Sequence, residues 1–134
     1  MIHILTVHWK SEDWIDIQLK YINHFVQQPY KVYAYLNHVP NSNEHSKKFH
    51  YSSDEDIESH SIKLNLLAQK VCEEANDDDL LMFLDGDAFP IADISKFVEK
   101  SLSSHKLTAV QRYENNGDIQ PHPCFCVTSV GFWK

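Results

Sequence analysis

The sequence has 134 residues, of which 43% are hydrophobic and 23% are charged, and its formal net charge is −7 at pH 7. This length suits a single domain with its own core, and the composition excludes a disordered or fibrous chain. Lysine and arginine are scattered without a basic stripe, which argues against nucleic acid as the main partner.

The amino-terminal half of the sequence alternates strand and helix patterns. Residues 2–7 are rich in aliphatic and β-branched side chains and predict a first strand. Ser11 is expected to cap a helix that runs to Pro29, with the apolar stripe Ile15, Leu19, Ile22 and Val26. Residues 30–39 alternate and predict a second strand, whereas residues 41–61 show no apolar period and are expected to form a long loop.

The second half begins with another helix pattern, whose stripe is Leu64, Leu67, Ala68, Val71 and Ala75. Leu80 to Leu84 predict a buried strand, because five apolar residues between an acidic run and a Gly/Pro segment are too few for a helix. Asp93 is expected to cap a third helix, with Leu102 on its apolar face, that runs to residues 103–105. Residues 107–112 and 124–130 predict two last strands, joined through a polar turn at residues 113–118.

This order of elements predicts one α/β domain over residues 1–134, with a Rossmann-like, mostly parallel sheet flanked by helices. An antiparallel arrangement stays open for the final strand pair. The three glycines, Gly86, Gly117 and Gly131, do not cluster. A dinucleotide fingerprint and a P-loop are therefore excluded, since both need several glycines in one turn.

Neither the cysteines nor the amino terminus indicates secretion. Cys72, Cys124 and Cys126 form neither an even set nor a Cys-X-X-Cys pair, and structural thiols are the expected interpretation. The amino terminus lacks a signal-peptide pattern, and no window approaches the roughly 18 apolar residues of a transmembrane helix. A cytoplasmic protein without a transmembrane segment is therefore the default expectation.

Two carboxylates leave the carboxyl end of the short apolar strand. Asp85 and Asp87 flank Gly86, and side chains two residues apart point the same way where a strand continues. Like charges this close repel unless a cation lies between them, and carboxylate oxygens suit Mg²⁺ or Mn²⁺. A simple Asp-Gly turn is the alternative, but ligands in open α/β sheets bind beyond the carboxyl ends of strands, which favours the metal.

The segment Phe83-Leu84-Asp85-Gly86-Asp87-Ala88-Phe89-Pro90, after a helix that carries Lys63 and Asn65, resembles the nucleotide-sugar glycosyltransferases of the A-type fold. The resemblance spans residues 2–130 and implies a nucleotide-diphospho-sugar transferase fold. It implies transfer of a sugar from a nucleotide-sugar donor to a carbohydrate or other hydroxyl acceptor. Within it, Asp87 is expected to bind Mn²⁺ or Mg²⁺ directly and Asp85 to contact the donor ribose or the metal.

Further site residues follow from the same resemblance. The base and ribose are expected at the ends of the first two strands, which carry Thr6, His8, Trp9 and Asn37. Lys63 is a candidate partner of the diphosphate, with a solvated helix lysine as the alternative. His122, stiffened by its flanking prolines, is the first candidate for a general base or a third metal ligand, with a surface loop histidine as the alternative.

The chain departs from that family in length, since such transferases are usually longer and carry an acceptor-binding half. It ends at residues 131–134, within what resembles a structural element, so a truncated or minimal donor-binding domain is one expectation. Two alternatives stay open, an inactive nucleotide-binding module of the same fold and a haloacid-dehalogenase-like phosphohydrolase with Asp85 as nucleophile. An EF-hand loop that starts at Asp85 fails, because Pro90 and Lys96 occupy the positions of its glycine and glutamate.

Overall fold

The computed structural model describes residues 1–90, 107–114 and 118–133, with the side chains of residues 1–90 and 126–133. Strands and helices alternate through most of the chain, as the sequence predicts. The strands are β1 (Ile2–Trp9), β2 (Tyr30–Asn37), β3 (Tyr51–Ser53), β4 (Leu80–Leu84), β5 (Leu107–Glu114) and β6 (Asp118–Ser129). The helices are α1 (Ile15–Phe25), α2 (Ser42–His45), a 3₁₀ turn (Ser46–Lys48), α3 (His60–Glu74) and α4 (Val130–Trp133).

The six strands form one sheet in the order β3-β2-β1-β4-β6-β5. The first four of these are mutually parallel, and β6 lies antiparallel to both β4 and β5. This arrangement confirms the predicted α/β fold. It also shows that the final strand pair, β5 and β6, is antiparallel. In the register of β1 and β4, Leu5 is opposite Phe83, so the residues that follow β4 run beside the carboxyl end of β1.

Two apolar layers cover the sheet, one on each face. One layer packs α1 through Ile15 and Ile22 against Ile4 and neighbouring strand residues, and the other packs α3 through Leu67 and Val71 against the opposite face. The first seven residues of β1 after Met1 are buried, because the strand is covered on both faces. Helices α1 and α3 therefore lie on opposite faces of the sheet.

The predicted loop over residues 41–61 is wrong. This segment contains α2, the 3₁₀ turn and the edge strand β3, and α3 already begins at His60. Single buried side chains anchor it, such as His45 and Phe49. Elements of three or four residues are too short to produce an apolar period, which explains why the pattern gave no sign of them.

Three predicted boundaries also shift. Ser11 does not cap α1, because Trp14 occupies the N-cap position, where no side chain accepts a hydrogen bond, and the Ser11 hydroxyl accepts instead from the Asp13 amide at 3.1 Å. Strand β2 ends at Asn37, where His38 adopts a left-handed φ of 55°. Strand β6 begins at Asp118, so His122 and its flanking prolines lie within the strand.

The predicted helix that starts at Asp93 and runs to residues 103–105 lies outside the described residues. Within the described ranges, no helix combines the length and apolar character needed to cross a membrane.

Candidate functional site

An open cleft of about 630 Å³ lies at the carboxyl ends of β1 and β4. The cleft combines residues from both strand ends with the start of α3 and the segment before α1. The lining residues are Val7, His8, Trp9, Ser11, Trp14, Glu58, His60, Lys63, Asp85, Gly86 and Asp87. Of the eight residues predicted to form the site, His8, Trp9, Lys63, Asp85 and Asp87 thus line one cleft.

The turn after β4 fits closely against β1. The Ala88 amide donates to the Asp85 carbonyl at 3.0 Å, which closes the turn. A β-carbon placed on Gly86 would lie 2.4 Å from the carbonyl oxygen of Val7 and 2.9 Å from Nδ1 of His8. Only glycine fits there without moving the backbone, so the sequence Asp-Gly-Asp brings two carboxylates against the end of β1.

The two carboxylates differ in exposure. Asp85 is partly buried, with its Oδ1 4.0 Å from Nε2 of His60, whereas Asp87 is exposed at the cleft. Among the side chains that the structure describes, no group of three His, Cys, Asp or Glu residues converges as a metal site. Two carboxylates beside an open cleft nevertheless fit Mg²⁺ or Mn²⁺, which commonly take one or two protein carboxylates and complete their coordination with phosphate oxygens and water.

Lys63 is buried, not solvated, and only 2% of the residue is exposed. Its Nζ lies 4.3 Å from the centroid of the Trp9 ring, a cation–π contact. Burial lowers the pKa of the Lys63 ammonium, and the charge of Asp56 partly opposes this shift. The structure thus places a positive charge at the cleft with an aromatic ring beside it.

His8 lies beneath the Asp-Gly-Asp turn and is 3% exposed. Its Nε2 is 3.2 Å from Oε1 of Gln18, a fully buried residue of α1. Burial lowers the pKa of His8, which favours the neutral ring, while the hydrogen bond with Gln18 and the charge of Asp87 oppose this shift.

Two of the remaining predicted site residues, Thr6 and Asn37, do not line the cleft. Thr6 is fully buried and accepts a hydrogen bond from Gln18 at 3.3 Å. Asn37 is also fully buried; its amide donates to the Glu55 carbonyl, and its Oδ1 has no hydrogen-bond partner among the described residues. The side chain of His122 is outside the described set, but its backbone pairs with Val110 in the part of β6 that extends past the end of β4.

Sequence reasoning missed part of the cleft. Trp14 and Ser11 reach it from the segment before α1, and Glu58 and His60 reach it from the start of α3. Gln18 was missed as well, although its position three residues after Ile15 and four before Ile22 marks it as a polar residue on a buried helix face. That pattern is the one sequence signal that was available for it.

The sequence matches no family model and no curated protein. Solved structures of glycosyltransferases do share its architecture. The chain has a nucleotide-diphospho-sugar transferase fold. A mannosyltransferase from Pyrobaculum calidifontis, in complex with GDP-Man and Mn²⁺, superposes with a TM-score of 0.63 at 10% identity, covering 96% of this chain and 44% of that one.

Two further structures with this transferase fold give similar values. Galactosyltransferase LgtC, in complex with donor and acceptor sugar analogues, has a TM-score of 0.61 at 10% identity, covering 98% of this chain and 59% of that one. S. aureus TarS, in complex with UDP-GlcNAc, has a TM-score of 0.62 at 13% identity, covering 96% of this chain and 45% of that one. The chain thus spans about half the length of these enzymes, and identities this low establish the fold alone.

Proposed function

We propose that this chain is a metal-dependent glycosyltransferase, or the donor-binding domain of one, that takes a sugar from a nucleotide-sugar donor. The observation that carries the proposal is the pairing of two kinds of charge in one cleft. Asp85 and Asp87 offer carboxylates, and Lys63 offers a buried ammonium. A metal-bound diphosphate needs both kinds of charge, and the solved transferases with this fold include complexes with GDP-Man and Mn²⁺ and with UDP-GlcNAc.

In this proposal each side chain has a distinct role. Asp87 is exposed and acts as the direct ligand of Mn²⁺ or Mg²⁺, while Asp85 contacts the metal or the ribose. Lys63 contacts the diphosphate, and Trp9 and His8 border the base and ribose. Thr6 and Asn37 are buried, so they act by supporting the ends of β1 and β2 behind the nucleotide.

The chemistry follows from the charge that develops on the leaving group. Cleavage of the bond between sugar and phosphate leaves negative charge on the nucleotide diphosphate, which a bound divalent cation stabilises. Lys63 lies on a buried part of the cleft, where a charge-assisted hydrogen bond is stronger than in water. The acceptor hydroxyl attacks the sugar carbon directly as its bond to the phosphate breaks, without a protein nucleophile, and it passes its proton to His122, the proposed general base if the enzyme inverts.

Thermal unfolding with GDP-Man and UDP-GlcNAc, each with and without Mn²⁺, tests the proposal on the wild type and on Asp87→Asn. A ligand at a hundredfold excess over its dissociation constant stabilises the native state by about 2.7 kcal/mol. We expect a shift that needs Mn²⁺ in the wild type and an affinity at least about tenfold weaker in Asp87→Asn, because the variant loses a metal carboxylate. Asp87 is exposed, so the stability without ligand should change by less than about 0.5 kcal/mol.

Asp78→Asn is the matched control, since Asp78 is exposed and precedes β4 at the opposite end from the cleft. It removes the same charge and should leave the nucleotide shift unchanged. A shift in Asp87→Asn equal to that of the wild type would refute the metal assignment. A metal-dependent shift without sugar transfer or donor hydrolysis would favour the inactive nucleotide-binding module, and a phosphorylated Asp85 would favour the phosphohydrolase.

A further inference from the structure

We propose that Gln18 is a positioning residue, one that holds the turn Asp85–Ala88 and the ring of His8 in the arrangement that the metal and nucleotide bind. The expected effect on ligand binding rests on the proposed function, whereas the positioning of the turn and of His8 rests on hydrogen bonds. Gln18 lies on α1, is fully buried and does not line the cleft. Its effect on a ligand must therefore pass through its neighbours.

The amide nitrogen of Gln18 reaches the turn directly. Its Nε2 donates to the carbonyl oxygen of Asp85 at 2.8 Å and to that of Ala88 at 3.0 Å. These two carbonyls enclose the Asp-Gly-Asp motif, and an amide group has two protons to give. The hydroxyl of Thr6 on β1, at 3.3 Å, is a longer third contact. The motif is thus attached to the first helix as well as to its own strand.

The amide oxygen of Gln18 orients His8. Because the nitrogen of the amide is committed to two carbonyls, the oxygen is the atom that faces Nε2 of His8, at 3.2 Å. Oxygen only accepts, so Nε2 of His8 carries the proton and donates it. The neutral ring then has its lone pair on Nδ1, the atom that lies 2.9 Å from the position a β-carbon on Gly86 would occupy.

A fully buried glutamine is a costly choice for a helix face unless every polar atom has a partner. An apolar side chain would fill the space between Ile15 and Ile22 of α1 without that requirement. Here both the nitrogen and the oxygen of the Gln18 amide form hydrogen bonds with groups on other elements, namely β1 and the turn after β4. Such a satisfied buried network fixes one arrangement of the surrounding elements, and this arrangement presents the two carboxylates.

Two variants separate the two ends of the amide. Gln18→Met removes donor and acceptor while nearly keeping the side-chain volume, and Gln18→Glu keeps the acceptor for His8 but lacks the donors for the turn. Gln69→Met is the control, because Gln69 is an exposed residue of α3. Mn²⁺-dependent binding of GDP-Man and UDP-GlcNAc is measured by calorimetry, amide exchange of Ala88 and Ile4 by NMR, and the tautomer of His8 by long-range ¹H–¹⁵N correlation.

We expect Gln18→Met to weaken Mn²⁺-dependent nucleotide binding at least about tenfold, because small displacements of binding groups cost affinity steeply. Exchange of the Ala88 amide should accelerate, while that of Ile4 in the centre of β1 stays slow. Gln18→Glu should retain the Nε2-protonated tautomer of His8 and lose protection at Ala88. Unchanged affinity and unchanged Ala88 exchange in a folded Gln18→Met would overturn the proposal.

The wild type alone supplies a test that does not depend on any variant folding. The side-chain amide protons of Gln18 should exchange far more slowly than those of Gln69, and equal rates would overturn the proposal. If the wild type binds neither nucleotide with Mn²⁺, the proposed function fails. In that case the exchange of Gln18 and Ala88 and the tautomer of His8 still decide whether Gln18 holds the turn.

Discussion

The surroundings of Lys63 bear directly on its proposed role in the cleft. The long apolar stem of a lysine is commonly covered while its ammonium stays in water. Here the ammonium faces the Trp9 ring at the cleft, and among the described residues no carboxylate lies within salt-bridge distance of it. Asp56 is the nearby charge that opposes the lowering of its pKa. A cation held without a bonded carboxylate is suited to an anionic ligand such as a diphosphate.

Lys63→Met should therefore lower the affinity for the nucleotide without a similar loss of stability. A hydrogen bond to a charged group is worth about 1.5–3 kcal/mol, so we expect the Mn²⁺-dependent affinity for UDP-GlcNAc or GDP-Man to fall by about one to two orders of magnitude. Stability should not fall by a similar amount, because methionine needs no hydration where the ammonium is desolvated. Calorimetric titration and urea unfolding of the same samples measure the two quantities.

Lys70→Met is the control for that experiment. Lys70 lies on the same helix, near Glu73 and above the ring of Tyr51, and does not line the cleft. Its substitution should leave the nucleotide affinity unchanged. Equal losses of affinity in Lys63→Met and Lys70→Met would mean that the net charge of the helix, and not the position of Lys63, determines binding.

At the scale of elements, α1 and α3 begin in different ways. Ser59 caps α3, since its hydroxyl accepts a hydrogen bond from the Ile62 amide at 3.3 Å. Before α1, the Ile15 amide donates to the carbonyl of Glu12 at 3.3 Å, and the resulting turn separates Ser11 from the first helical residue. A serine followed by two acidic residues thus resembles a cap in sequence without acting as one.

We expect Ser59→Ala to lower the free energy of unfolding by about 1 kcal/mol, because the first turn of α3 loses a side-chain acceptor. Ser11→Ala should cost less than about 0.5 kcal/mol, since no helical amide depends on its hydroxyl. Urea unfolding of both variants measures the difference. A larger cost for Ser11→Ala than for Ser59→Ala would show that the first turn of α1 depends on Ser11 after all.

Some elements could be predicted from the sequence and others could not, and the difference lies in their local sequence patterns. Strand β4 was predicted with its observed bounds, because a short apolar run between acidic residues and a Gly/Pro segment has few alternatives. Strand β3 was missed, because three partly exposed residues at a sheet edge leave no alternation. In the cleft, Asp85 and Asp87 follow from spacing, whereas the contacts of Gln18 depend on packing that no local pattern encodes.

At the scale of the whole molecule, polar networks lie at both ends of the parallel strands. The cleft lies where β1 ends, and a second network lies where β1 begins. There, His3 is 2% exposed, and its ring nitrogens lie 3.0 Å from the Tyr33 hydroxyl and 2.9 Å from the Asp79 carboxylate. His3 and His8 are five residues apart along β1, about 17 Å at the rise of a strand. Substitutions at that separation usually act independently.

Tyr33→Phe tests this independence together with a pH dependence. The Tyr33 hydroxyl donates to Glu74 and thereby lowers the pKa of that carboxyl group, burial opposes the shift, and His50 adds to it. A carboxyl group whose pKa is lower in the folded state stabilises the protein above its unfolded pKa, and this contribution is lost as pH falls through the folded pKa. We therefore expect Tyr33→Phe to cost about 1–3 kcal/mol near pH 7, and we expect this cost to decrease as the pH falls through the folded pKa of Glu74, because protonation removes the charge that the hydroxyl stabilises. Urea unfolding over a series of pH values from 7 downward measures the cost. Tyr30→Phe, which breaks only an exposed hydrogen bond to Asn23, should show no such pH dependence.

The affinity of folded Tyr33→Phe for the Mn²⁺-nucleotide complex should equal that of the wild type, and a weakened affinity would show that the two ends of the parallel strands are coupled.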